Sequence, residues 1–211
     1  MDFAEINMMR LYDNSTGCVV VDIDGKQMLV DTGAAKTFYN EYQGVRIRDL
    51  SQMLGLPLDG VLGMDSLKGR VLSLTRNMIH INGTAPDLSG TPMRYVAGVP
   101  CIDIKINQVP CRAAIKTSAT TTYISTELIT RDKPSAFADD FHPVYGNIRV
   151  RKFVNYFTIA NKSFFADAGE LPCEWSLTAD GGVDVIIGTD LLKRFDLIMD
   201  FSINRLHLVS N

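Results

Sequence analysis

Asp31 closes an apolar run and is followed by Thr32 and Gly33, and a carboxylate presented on a tight loop is a candidate base for activating water. Hydrolysis by carboxylates takes two of them, close enough to share one proton. Like charges at that distance cannot both ionise, so one acts as base and the other as acid. The stretch that copies the surroundings of Asp31 is Ile115-Lys116-Thr117-Ser118-Ala119-Thr120-Thr121-Thr122, set against Val30-Asp31-Thr32-Gly33-Ala34-Ala35-Lys36-Thr37. In that copy Lys116 stands at the place matched to Asp31, and Ser118 at the place matched to Gly33. A lysine facing Asp31 favours the ionised carboxylate and is expected to hold it in an ion pair.

The elements that must position these loops are also duplicated. Strand signals dominate, as short runs of Val, Ile, Leu and Phe between turn residues. Cys18–Ile23 and Met28–Val30 flank Asp24-Gly25, a strong signal for a two-residue hairpin turn. Cys101–Ile106 and Cys111–Ile115 repeat the plan around a longer turn near Asn107–Pro110. Asp59-Gly60-Val61-Leu62-Gly63-Met64-Asp65 is answered by Asp184-Val185-Ile186-Ile187-Gly188-Thr189-Asp190, with Asp65 and Asp190 placed to cap short helices. The closing runs 77–81 and 204–208 agree even in His80 and His207, which alternate with apolar residues and are expected to face solvent. Such self-similarity marks a duplicated unit, 1–85 and 86–211, joined by a Gly/Pro/Ser/Thr-rich linker over 82–92.

An Asp-Thr-Gly loop after a strand, with a later apolar-apolar-glycine strand and a second copy of both, resembles the aspartic proteases of the pepsin and retropepsin type. The resemblance covers nearly the whole sequence. It implies an all-β, bilobal fold with short helices and a pseudo-two-fold internal repeat. It implies that Asp31, Thr32 and Gly33 form the catalytic loop, with Gly33 permitting the tight turn. Thr32 and Thr117 would grip one another across the axis, and the degenerate loop Lys116-Thr117-Ser118 would have lost its chemistry. The interval after the loop is less than half as long in the first lobe as in the second. The first lobe is therefore expected to lack the family's flap hairpin, with Asp49–Leu56 as a helical turn in its place. The second lobe is expected to supply a single flap at Tyr145 and Gly146, within Val144–Lys152. The expected function is a pseudoprotease whose inter-lobe cleft binds an extended peptide or protein segment. Two alternatives stand beside it: an active aspartic endopeptidase drawing a second carboxylate from elsewhere or from a dimer, and an interaction scaffold with a filled cleft.

Composition narrows the rest. A protein of 211 residues with formal charge −3 carries no basic footprint for nucleic acid. No apolar run is long enough to span a bilayer, and the first residues lack a basic start and apolar stretch, which predicts a cytoplasmic protein. A monomer is expected, because the second lobe should already occupy the face that a second copy would need. No cofactor and no metal site is expected, since the four cysteines lack ligand spacing. Three of them, Cys18, Cys101 and Cys111, read as buried free thiols. The aromatics Phe153, Tyr156, Phe157, Phe164 and Phe165 read as core and cross-strand packing, and Trp175 as a weak contact candidate.

Overall fold

The computed structural model describes residues 9–10, 17–75, 78–85, 89–142, 146–172, 182–192 and 194–209. Strands make up 51% of the described residues and helices 11%, so the fold is all-β. The first repeat carries β1 (Met9–Arg10), β2 (Val20–Ile23), β3 (Lys26–Val30), β4 (Glu41–Tyr42), β5 (Val45–Arg46), α1 (Ile47–Leu54), β6 (Gly60–Leu62), α2 (Met64–Leu67), β7 (Val71–Leu74) and β8 (Met78–Ile81). The segment expected to be a linker adds β9 (Thr91–Pro92). The second repeat carries β10 (Arg94–Val96), β11 (Val99–Ile106), β12 (Val109–Ile115), β13 (Tyr123–Ile124), β14 (Ala136–His142), β15 (Gly146–Ile159), β16 (Lys162–Glu170), β17 (Val185–Ile187), α3 (Thr189–Leu192), β18 (Asp196–Asp200) and β19 (Arg205–Val209).

A three-stranded sheet β2-β3-β6 belongs to the first repeat. In the second repeat, strands run in the order β10-β11-β12-β17-β13-β16-β15-β14, and a further pairing of β11 with β15 closes six of them on themselves. The period-two pattern explains the walls of this ring. Ile102, Ile104 and Ile106 point inward while Asp103 and Lys105 face solvent. A third sheet, β1-β8-β7-β18-β19-β9, takes strands from both repeats. The largest core cluster does the same, gathering Val21, Val30 and Leu62 with Ile115, Ile187 and Leu206.

Asp24 and Gly25 form the expected turn, with φ of 52° and 77°. The second turn is shorter than expected: Asn107 and Gln108 alone make it, at φ of 50° and 70°. Gln108 is an unfavourable residue for that conformation. Tertiary bonds fix the turn instead, because Asn107 donates to the Leu128 carbonyl and to Asn155 and accepts from the Tyr156 N–H. The helical turn expected at Asp49–Leu56 is α1, stopped by Gly55 in a left-handed conformation. Cys18, Cys101 and Cys111 are buried free thiols, and burial pushes Cys111 up to about 12. Phe153 and Phe157 are core residues, whereas Phe165 is exposed and packs on Tyr156. Trp175 lies outside the described residues. His207 is buried, contrary to expectation: the Gly90 segment folds over β19, and a Cβ on Gly90 would stand 2.6 Å from the imidazole. His80 is half-buried.

Candidate functional site

Each loop hangs from a parallel strand pair. β3 lies beside β6 with Val30 opposite Leu62, and β12 lies beside β17 with Ile115 opposite Ile187. Strands buried on both faces read as unbroken apolar runs, which is why Gly60–Leu62 and Val185–Ile187 hold no polar residue. The ladder continues into the loops, where the Asp31 N–H donates to the Leu62 carbonyl and the Lys116 N–H to the Ile187 carbonyl, each at 3.0 Å. The Ala34 and Ala119 N–H groups turn back to the carbonyls of Asp31 and Lys116, at 3.1 and 3.2 Å. Below them, the hydroxyls of Thr37 and Thr122 accept from the N–H groups of Gly63 and Gly188. Both glycines are sterically required: an added Cβ would lie 2.2 Å from the Lys36 carbonyl oxygen at Gly63 and 2.6 Å from the Thr121 backbone at Gly188.

Asp190 accepts from the Leu191 N–H in the first turn of α3 at 2.8 Å, and Asp65 accepts from the backbone of Ser66, although the N-cap position of α2 itself is Gly63, which provides no side-chain bond. The two carboxylates also accept from the hydroxyls of Thr37 and Thr122, at 2.7 and 2.6 Å, and so tie each loop to the helix after it. Burial alone would raise the Asp65 carboxyl, but hydrogen bonds from Thr37 and Ser66 outweigh it and hold the group below its ordinary value. A second carboxylate pair clamps the far ends of the strands. Asp59 accepts from the Gln27 N–H at 2.8 Å, and Asp184 accepts from the Arg112 N–H at 2.9 Å.

The loops then lock into each other. The Thr32 hydroxyl donates to the Ile115 carbonyl at 2.6 Å and accepts from the Thr117 N–H at 3.2 Å. The Thr117 hydroxyl donates to the Val30 carbonyl at 2.6 Å and accepts from the Thr32 N–H at 3.1 Å. Both threonines are fully buried. This reciprocal grip brings Asp31 and Lys116 together, although the expected ion pair is not formed among the described residues. The Lys116 stem lies across Gly33: the point where a Gly33 Cβ would stand is 2.3 Å from Lys116 Cε and 2.9 Å from Asp31 Oδ1. The Asp31 oxygens take other donors, Oδ1 from the Gly33 N–H at 2.7 Å and Oδ2 from the Tyr42 hydroxyl at 2.5 Å. Gly33 is thus needed for close approach and not for a left-handed turn, since its φ is not positive.

Tyr42 corrects the expectation that the first lobe has no hairpin. β4 and β5 form a miniature one, with Gln43 and Gly44 at φ of 51° and 80°. The Tyr42 ring is buried beside Leu50 and Val61 and packs on Phe38 with centroids 5.2 Å apart. Burial and then the charge of Asp31 push the phenol far above its ordinary range, so it remains a neutral donor. Gln43 Nε2 donates to the same hydroxyl at 2.9 Å, and Asp31 is left only 1% exposed.

The second-lobe hairpin is β14 with β15. Lys152 pairs on both sides, with Ala136 and Gly169, while Gly146–Arg151 pair with β14 alone among the described residues. Gly146 opens β15 at φ of 73°, and Tyr145 lies outside the described residues. This hairpin folds onto its own loop: Asp140 accepts from the hydroxyls of Thr120 and Tyr123, and Val150 is buried against Tyr123 and Ile186. Beside the long β14–β15 hairpin there is thus a second, much smaller one, β4–β5, whose Tyr42 reaches the Asp31 carboxyl. Sequence reading missed Tyr42, Tyr123 and Asp140. The Gln43-Gly44 pair was the available signal for the first.

Comparison with models of known protein families finds no match, and comparison with curated protein sequences finds none either. No three His, Cys, Asp or Glu residues among the described ones converge as a metal site. No helix among them is long and apolar enough to cross a membrane.

Proposed function

We propose that the protein is an aspartic-protease-like pseudoprotease of the pepsin and retropepsin type, retaining an inter-lobe cleft for an extended peptide while lacking the chemistry to cleave it. The observation that carries this reading is the threonine grip, which sets Asp31 opposite Lys116 instead of a second carboxyl. A lone carboxyl has no partner with which to share a proton, and an ammonium cannot act as the missing acid-base pair in the same geometry. Asp31 is moreover engaged by the Gly33 N–H and the Tyr42 hydroxyl and is almost fully buried, which leaves little room beside it for a lytic water.

Rebuilding the second loop tests the reading. Lys116→Asp with Ser118→Gly restores two facing carboxyls, whose repulsion raises one pKa and lets a proton be shared. The double variant should gain acid-favoured peptide cleavage that Asp31→Asn abolishes. Asp31-dependent cleavage by the unaltered protein contradicts the reading.

A scaffold with a filled cleft is the second reading, favoured by the Tyr42–Gln43 cover over Asp31. Peptide titration separates the two, because a filled cleft binds none.

A further inference from the structure

Within the triplet Lys116-Thr117-Ser118, the second loop departs from Asp31-Thr32-Gly33 at two positions, and both changes add donors. Asp31 offers acceptor oxygens and Gly33 only hydrogen at its Cα, whereas Lys116 and Ser118 offer an ammonium and a hydroxyl. Neighbouring hydroxyls on that loop have acceptors: Thr117 donates to the Val30 carbonyl, Thr120 to Asp140 and Thr122 to Asp190. Lys116 and Ser118 are half-buried, and neither makes a side-chain hydrogen bond or ion pair among the described residues. Neither Lys116 Nζ nor Ser118 Oγ is sealed from solvent, so both donors stay open to a ligand. The Lys116 stem packs on Gly33, and the Asp31 oxygens accept from the Gly33 N–H and the Tyr42 hydroxyl instead of from the ammonium.

We infer that Lys116 and Ser118 form a receptor for one carboxylate of the segment bound in the cleft, supplied by an Asp or Glu residue of that segment or by its free carboxy-terminus. This rests on the peptide-binding reading and adds the chemistry that the second loop selects. The ammonium makes a charge-assisted bond to one carboxylate oxygen, and the hydroxyl donates to the other. Asp31 beside the lysine stem favours a monoanion, because repulsion grows with the charge of the ligand.

Three acetylated hexapeptides of otherwise identical sequence test this by calorimetry on the full-length protein. One has a central Gln and an amidated end, one a central Glu and an amidated end, and one a central Gln and a free carboxylate. An acidic peptide should bind on the order of tenfold tighter than the neutral one, as one charge-assisted bond allows. Which of the two does so identifies the source of the carboxylate. Lys116→Met should erase the preference, while Lys116→Arg retains it. Equal affinities, or a preference that survives Lys116→Met, overturn the receptor.

N-acetylglycine, followed through the Lys116 εCH2 resonances, separates this failure from failure of the peptide reading. A saturable shift weakened by Ser118→Ala, with no peptide bound, leaves the receptor standing and sinks the peptide cleft. The absence of both a shift and peptide binding sinks both. Tighter saturation by inorganic phosphate than by N-acetylglycine overturns the carboxylate assignment.

Discussion

Asp31-Thr32-Gly33 and Lys116-Thr117-Ser118 occupy equivalent places in one frame. Their middle threonines make mirror-image bonds, and the strands beneath them end in glycines that tolerate no added Cβ. The flanking positions differ in charge, size and direction of hydrogen bonding. Asp31 turns inward to Gly33 and the Tyr42 hydroxyl, while Lys116 reaches over to the other loop and lies on Gly33. The groups that hold the loops together are therefore separate from the groups that could react. A duplicated fold of this kind can exchange its chemistry at two positions without losing its join.

Breaking the grip should have the largest effect. Thr32→Val leaves the Ile115 carbonyl and the Thr117 N–H without partners in a dry interior, and Thr117→Val does the same to Val30 and Thr32. Each should cost about 3 kcal/mol in denaturant unfolding, with the double variant well short of the sum because the bonds form one network. A clear inequality between the two single variants would mean that the mirror relation is only geometric.

Tyr42→Phe sharpens the contrast between the loops. It removes the donor to a buried Asp31 oxygen and should cost about 2 kcal/mol near neutral pH. The folded phenol titrates above its ordinary value of 10, so its contribution is fully present below that pH and is lost as the pH rises beyond it. The deficit of Tyr42→Phe should accordingly shrink in alkali. A deficit independent of pH would deny the link to Asp31.

Gly33→Ala should have the smallest effect of the three. Its new methyl meets the end of a flexible lysine and one Asp31 oxygen, costing about 1–2 kcal/mol. Lys116→Ala in the same protein should restore most of that. Failure of the rescue would show that the glycine is needed by its backbone after all.

The frame was legible in the sequence because duplication wrote it twice. Thr32 with Thr117, Gly63 with Gly188 and Asp59 with Asp184 stand at matched places, and the structure puts each pair in the same contacts. What depends on one copy alone was harder to see. Charge suggested that Lys116 would pair with Asp31, but its direction is set by the empty space over Gly33. Tyr42 gains its role from the two-residue turn after it, and the shortness of the interval pointed away from a hairpin that Gln43-Gly44 alone signals. The burial of His207 comes from the Gly90 segment folding over β19, which alternation within the strand does not encode.

The central claim is that the half-dyad around Asp31 does no proteolysis. Its most direct measurement is incubation of the purified protein with a diverse peptide mixture across acid to neutral pH, read by mass spectrometry beside Asp31→Asn. The account predicts identical product profiles for the two proteins at every pH. Cleavage products present with the unaltered protein and absent with Asp31→Asn would contradict it.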